Sequence, residues 1–103
     1  MASPFDVQQS DFQGSFSGAA AQVVIPGPQP GSRNYLARID VVTDANATLT
    51  ITSNGATVFS MPLIANTPFS AFWPRGMRGT SGQDLTITIS GGNGTINWDG
   101  VVA

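Results

Sequence analysis

Apolar and polar residues alternate in short bursts from Gln22 onward. The segment YLARIDVV (35–42) places every second residue on one side, and TLTIT (48–52), LTITIS (85–90) and TINW (95–98) repeat the pattern. A period of two is typical of strands that are buried on one face, and the β-branched residues that dominate these bursts favour the same structure. We therefore predict seven or eight strands and no helix.

Turn residues separate the bursts. Asn54-Gly55 and the glycine-rich stretch Gly91–Gly94 can supply the positive φ angles that tight turns require. We expect Leu85–Ser90 and Thr95–Val102 to pair as an antiparallel hairpin around Gly91–Gly94. Strands without helices to cover a sheet pack sheet on sheet, as a sandwich or a barrel. The predicted fold is all-β, a jelly-roll-like β-sandwich of antiparallel strands with an extended N-terminal arm.

The first 21 residues show neither the period of two that is typical of strands nor the period of about 3.6 that is typical of helices. They contain Phe5, Phe12 and Phe16 among Ser, Gln, Gly and Ala. Ordering about 20 residues costs roughly 20 to 40 kcal/mol of backbone entropy, whereas burying three phenylalanines returns only about 5 to 9 kcal/mol. We therefore predict an extended arm over 1–21 and a β-sandwich domain over 22–103. The arm is either a mobile terminus or is ordered by a neighbour, in which case the three rings are its contacts with a partner or another subunit.

Charge is scarce. The chain of 103 residues has four arginines, six aspartates and no lysine, glutamate, histidine or cysteine, which gives a net charge of −2. An acidic chain without a basic stripe is a poor ligand for phosphates, so we expect no nucleic-acid partner. No apolar run is long enough to span a bilayer and the N-terminus has no signal-peptide pattern, so we expect no membrane contact and synthesis as a soluble cytoplasmic protein.

The residue types do not support catalysis. Without histidine a hydrolase triad lacks its base, without cysteine thiolate metal sites are impossible, and no two aspartates have a spacing that indicates a shared site. We predict that the chain is not an enzyme, has no catalytic, metal-binding or cofactor-binding residue, and needs no cofactor.

Two segments are candidates for binding a ligand or a partner. Arg75 and Arg78, in RGMRGTSG, could form an anion-binding loop or belong to a long connection between sheets. Trp73, together with Trp98 and Tyr35, could stack on a sugar, although alternation along FSAFWP favours core burial for most of these rings. The outward positions are largely Thr, Ser and Asn, which protect sheet edges weakly and therefore indicate an assembly.

The order of elements from Tyr35 to Val102 resembles a known family. It runs through YLARIDVVTDANATLTI, ATVFSMPL, FWPRGMRGTSGQDLTITISGG and GTINWDGVV, and it is similar to the small jelly-roll decoration, or cement, proteins of tailed-bacteriophage capsids. The resemblance covers about two-thirds of the chain and includes no catalytic signature.

The resemblance implies a structural protein on the outer surface of a virion capsid. Its expected partners are the major capsid protein and other copies of itself, in a homo-oligomer that the resemblance makes a trimer rather than a dimer. Two alternatives stay open, namely a carbohydrate-binding β-sandwich module and a structural component of a phage tail or neck.

Overall fold

The computed structural model describes residues 11–19 and 22–103, and the regular structure in this part of the chain is entirely β. No helix within it is long and apolar enough to cross a membrane. The described residues form eight strands, seven of them from Gln22 onward, in agreement with the predicted seven or eight. They are β1 Phe12–Ala19, β2 Gln22–Ile25, β3 Asn34–Thr43, β4 Ala47–Ser53, β5 Ala56–Leu63, β6 Phe69–Arg78, β7 Leu85–Ile89 and β8 Asn93–Val102.

The strands form two antiparallel sheets of four. The first sheet has the order β1-β8-β3-β6 and the second sheet has the order β2-β7-β4-β5. This interleaving of early and late strands in two facing sheets is the jelly-roll arrangement, so the predicted fold class is confirmed. The β4–β5 connection is a hairpin within one sheet, and its Asn54 and Gly55 have φ angles of 51° and 78°, as a turn of this kind requires.

The hairpin predicted around Gly91–Gly94 is wrong. Strand β7 pairs with β2 and β4 in the second sheet, whereas β8 pairs with β1 and β3 in the first sheet. The connection between them therefore crosses from one sheet to the other. A glycine-rich turn permits either path, because Gly92 at φ 71° reverses the chain without specifying which strand the next residues join.

The core lies between the two sheets. Alternate residues of the central strands are buried there, and in β7 the pattern extends over all five residues. The buried hydrophobic residues come from β2, β3, β4, β5, β7 and β8, and they are Val23, Ile25, Leu36, Ile39, Val41, Leu49, Ile51, Leu63, Leu85, Ile87, Ile89 and Ile96. The alternation predicted for LTITIS is confirmed, because Leu85, Ile87 and Ile89 are all buried.

The structure corrects the predicted boundary at Gln22. Residues 12–19, which we assigned to the arm, are strand β1 and pair with β8 from Phe12 opposite Gly100 to Ala19 opposite Asn93. Phe12 and Phe16 are partly buried and pack against the core of the same chain. Strand β1 therefore belongs to the sandwich, and residues 1–10 and 20–21 of the predicted arm lie outside the described residues.

The period of two in β1 is hidden by glycine. Between the two phenylalanines, the inward position is Gly14, which adds no apolar signal to the pattern. The structural reason is Trp98, which is opposite Gly14 in β8 and whose ring covers it so closely that a Cβ atom there would overlap the indole. Phe12 covers Gly100 in the same way. Aromatic rings thus fill the space that the missing side chains leave. The inward face of β1 is therefore apolar, although the glycines hide this in the sequence pattern.

Candidate functional site

The described phenylalanines of the predicted arm lie in the sandwich. Phe12 and Phe16 contact the chain's own core, which uses the apolar surface that we had assigned to a neighbour. Phe5 lies outside the described residues. Phe12 and Phe16 are therefore used within the chain, and the predicted contact through Phe5 stays a prediction.

Trp73 is also a core-packing residue. Its ring meets the ring of Phe59 edge-on, with centroids 5.5 Å apart and an interplanar angle of 82°. Phe59 in turn stacks against Phe69 at 6.3 Å. Trp73 and Trp98 are both partly buried against the core, so neither offers the open face that stacking on a sugar would need, and the core interpretation is the one that agrees with the structure.

Arg75 and Arg78 lie on β6, an edge strand of the first sheet. The connection from the first sheet to the second begins only after Arg78. Between Leu36, which is opposite Met77, and Arg38, which is opposite Phe72, β3 has one residue and β6 has four.

The four residues of β6 from Trp73 to Gly76 form a large bulge. Gly76 at φ 78° allows the return into the sheet, where a Cβ atom would come within 2.6 Å of the Tyr35 Cβ. Pro74 and Arg75 are exposed. A bulge, a proline and two arginines protect this edge against strand addition, contrary to the expectation of weakly protected edges.

The largest aromatic surface on the described part of the chain belongs to Phe72. This residue is 67% exposed on the outer face of the first sheet. Arg38 lies opposite it on β3 and forms ion pairs with Asp99 at 2.9 Å and with Asp40 at 3.7 Å. Because these carboxylates neutralise the guanidinium, the surface around Phe72 combines an exposed ring with little net charge.

Alternation along β6 already placed Phe72 on the face opposite Trp73. Phe72 could have been selected as a contact residue from one signal in the sequence. It is an aromatic residue at an outward position of a strand, two residues before a proline. Recognising that signal also required knowing that β6 is at an edge, which depends on the order of strands in the sheet.

Threonines cover the outer face of the second sheet along its two central strands, β4 and β7. Thr50 is opposite Thr88, and Thr52 is opposite Thr86. The outward positions of β4 and β7 carry no charge. This face is polar and neutral, and among the residues that the structure describes it offers no aromatic anchor comparable to Phe72.

A cleft of about 350 Å³ opens at one end of the first sheet. We call it the loop-end cleft, and the residues that define it here are Ser17, Val42, Asp44, Asn66, Asn93 and Thr95. A smaller hollow of about 110 Å³ shares Val42 and Thr95 with it and is lined further by Pro68 and Phe69. The cleft is therefore polar on one side and apolar on the other.

Asp44 organises the polar side of the loop-end cleft. Its Oδ1 accepts a hydrogen bond from the backbone N–H of Asn93 at 2.8 Å, and its Oδ2 accepts one from the side-chain amide of Asn93 at 3.2 Å. The backbone N–H of Asn66 donates to the Thr43 carbonyl at 2.7 Å, and this hydrogen bond holds the β5–β6 loop against the end of β3. The hydroxyls of Ser17 and Thr95 are 2.8 Å apart.

The chain's acidic residues do not form a metal centre in the part that the structure describes. No group of three or more His, Cys, Asp or Glu side chains there is arranged to hold a metal ion. Asp84 caps the backbone N–H of Gly27 at 2.6 Å and Asp11 accepts from the backbone N–H of Val102 at 2.7 Å. These carboxylates stabilise loops and a strand end.

Comparisons with family models and with curated protein sequences found no match. Among solved structures, the chain is similar to the coat protein of Tobacco streak virus, with 12% identity and a TM-score of 0.43 over 86% of this chain and 87% of that one. A structure of the dimer of that coat protein matches at 11% identity and a TM-score of 0.43, over 92% of this chain and 90% of that one.

An insecticidal delta-endotoxin of Bacillus thuringiensis is similar at 18% identity and a TM-score of 0.47. The match covers 84% of this chain, which spans about a fifth of the toxin, since 19% of the toxin is covered. At these identities and TM-scores we draw no conclusion about function from any of the three.

Proposed function

We propose that the chain is a non-enzymatic structural protein of a virion, which binds the outside of an assembled phage capsid and stabilises it. The observation that carries the proposal is Phe72, an aromatic side chain that is 67% exposed on a folded sheet. Exposed aromatic residues are enriched at the centres of protein interfaces, and the charges nearest Phe72 are paired with one another. The resemblance of residues 35–102 to capsid decoration proteins supplies the identity of the partner.

Phe72 suits a partner that is a protein surface rather than a small molecule. It stands on the outer face of the first sheet beside Arg38, whose charge is offset by Asp99 and Asp40. Pro74 and Arg75 project from the neighbouring bulge. An aromatic ring with an arginine and a proline beside it can enter a shallow apolar depression, and we assign that depression to the major capsid protein.

Self-association is the second part of the proposal. Residues 1–10, with Phe5, remain candidates for contact with another copy of the chain, and the family resemblance favours a trimer over a dimer. Such an oligomer would place several Phe72 side chains on one shell, which raises the overall affinity without any new type of contact.

The test is occupancy on undecorated capsids. Burying one ring contributes about 2 kcal/mol, so Phe72→Ser should weaken shell binding roughly thirtyfold. Val24→Ser is the matched control, because Val24 is 52% exposed on the second sheet and its loss should leave occupancy unchanged. Equal occupancy for Phe72→Ser and the unchanged protein would contradict the proposal, and a loss with Val24→Ser would move the contact to the other sheet.

A carbohydrate-binding module is the second candidate function, and the loop-end cleft is the observation that favours it. The two tryptophans named from the sequence are packed against the core, and we propose the loop-end cleft as the saccharide site of such a module. A role in a phage tail or neck is a further alternative to the capsid, and it predicts that the protein copurifies with tails that have been separated from heads.

A further inference from the structure

The loop-end cleft has the chemical features of a ligand site that is independent of the surface around Phe72. Its volume of about 350 Å³ falls in the range of small-molecule pockets. Three separate parts of the chain contribute to it: the β3–β4 loop carries Asp44, the β5–β6 loop carries Asn66, and strand β8 begins with Asn93. Residues that converge from three parts of the chain on one space can hold a ligand from several sides.

The polar groups of the cleft are fixed before any ligand arrives. Both oxygens of Asp44 accept hydrogen bonds from Asn93, and since a carboxylate oxygen has two lone pairs, each oxygen can accept one more. A Cβ atom at Gly92 would come within 2.8 Å of the Asp44 Oδ1, so the glycine leaves room for this carboxylate. The paired hydroxyls of Ser17 and Thr95 share one hydrogen bond and can still offer a donor.

The charge of the cleft excludes two ligand classes. Asp44 is the one carboxylate among its described lining residues, whereas calcium sites take six to eight oxygen ligands with several carboxylates. No arginine lines the cleft in that part of the chain, so phosphate and other anions would meet a negative charge without a compensating cation. The ligand that fits carries no negative charge and both donates and accepts hydrogen bonds.

The apolar side of the cleft specifies the ligand further. Val42 continues into the hollow that Pro68 and Phe69 line, so a ligand that fills both spaces must have an apolar face as well as hydroxyl groups. A pyranose ring combines a C–H face with a rim of hydroxyls that donate and accept. We infer that the loop-end cleft binds a neutral saccharide, with Asp44, Asn66 and Asn93 contacting its hydroxyls and Val42 and Pro68 contacting its C–H face.

This inference rests on the second candidate function and not on the capsid role, and its test needs only the purified full chain. Backbone amide NMR spectra are recorded while glucose, galactose, mannose and N-acetylglucosamine are added separately, with glycerol as a polyol that lacks a ring. We expect saturable shifts at residues of the loop-end cleft for at least one saccharide, and no saturable shift with glycerol.

Two variants locate the site. Asp44→Asn should weaken binding about tenfold, because it removes the charge that strengthens hydrogen bonds from hydroxyls. Asn66→Gly should weaken it about fivefold, because it removes one neutral side chain while keeping a backbone of φ 59° that glycine adopts readily.

The matched control is Asn54→Gly. Asn54 has φ 51° and lies in the β4–β5 turn, so the change is chemically the same at a loop outside the cleft and should leave saccharide affinity unchanged. Absence of a saturable shift with all four saccharides would overturn the inference. Equal shifts with glycerol, or equal weakening by Asn54→Gly and Asn66→Gly, would also overturn it.

Discussion

Strand β1 gives the prediction that separates this fold from an arm attached to a complete sandwich. Phe12 and Phe16 are partly buried against the core, and β1 pairs with β8 along eight residues, 12–19. Replacing a fully buried phenylalanine by a small residue costs about 3 to 5 kcal/mol, so a partly buried ring should cost roughly half as much. We expect Phe12→Ser and Phe16→Ser each to lower the free energy of unfolding by about 2 kcal/mol.

The loss is large for a domain of this size. Small domains are stable by about 5 to 15 kcal/mol, and about 1 kcal/mol shifts the melting temperature by roughly 4 to 8 °C. Each variant should therefore melt about 8 to 16 °C below the unchanged protein. The double variant, or deletion of residues 1–19, should leave little folded protein at growth temperature, because the edge strand and both rings are then lost from the first sheet.

Phe72→Ser is the control for this experiment. It is the same chemical change at a ring that is 67% exposed, and a surface substitution of this kind costs within about 0.5 kcal/mol. Thermal unfolding followed by circular dichroism or calorimetry measures all three proteins. Melting temperatures for Phe12→Ser and Phe16→Ser that fall no further than that of Phe72→Ser would refute the placement of β1 in the sandwich.

Two further predictions concern packing. Ile87→Asp should lower the free energy of unfolding by several kcal/mol, because Ile87 is 0% exposed and a carboxylate there has no partner. Thr88→Asp, on the outer face, should have a mild effect. Equal shifts in melting temperature for the two variants would show that the register of β7 is wrong. Gly100→Ala should cost about 2 kcal/mol or more because its Cβ would overlap the Phe12 ring and the Tyr35 carbonyl oxygen. Gly91→Ala, with nothing within 4 Å of the added atom, should melt like the unchanged protein.

The features predicted from sequence were those that depend on local alternation. Strands β4 and β7 carry aliphatic residues at alternate positions, and such patterns report burial directly. In β3 the predicted alternation fails at one point, because a register shift between Leu36 and Arg38 buries Leu36 on the same side as Ile39. The Asn54-Gly55 turn was predicted for the same reason, since its φ angles are a local requirement. No knowledge of distant residues was needed for these elements.

The features that were missed depend on pairing between residues far apart in the chain. Gly14 conceals the alternation of β1, and the Trp98 ring that compensates for it is contributed by β8. The glycine-rich turn before β8 is locally compatible with a hairpin, and the sheet order decides against it.

The loop-end cleft was missed for the same reason. Asp44 and Asn66 belong to two loops and Asn93 begins strand β8, and no sequence spacing relates the three. The jelly-roll order of the strands brings these residues together at one end of the sandwich.

The capsid role is tested most directly by cryo-electron microscopy of the virion whose genome encodes this chain. The proposal predicts density for the two-sheet sandwich on the outside of the head shell, at regular positions, with the β6 edge and Phe72 against the major capsid protein. The same reconstruction of particles that carry Phe72→Ser should show depleted density at those positions. Density for the sandwich in the tail or neck, or a full complement on the heads of Phe72→Ser particles, would contradict the account.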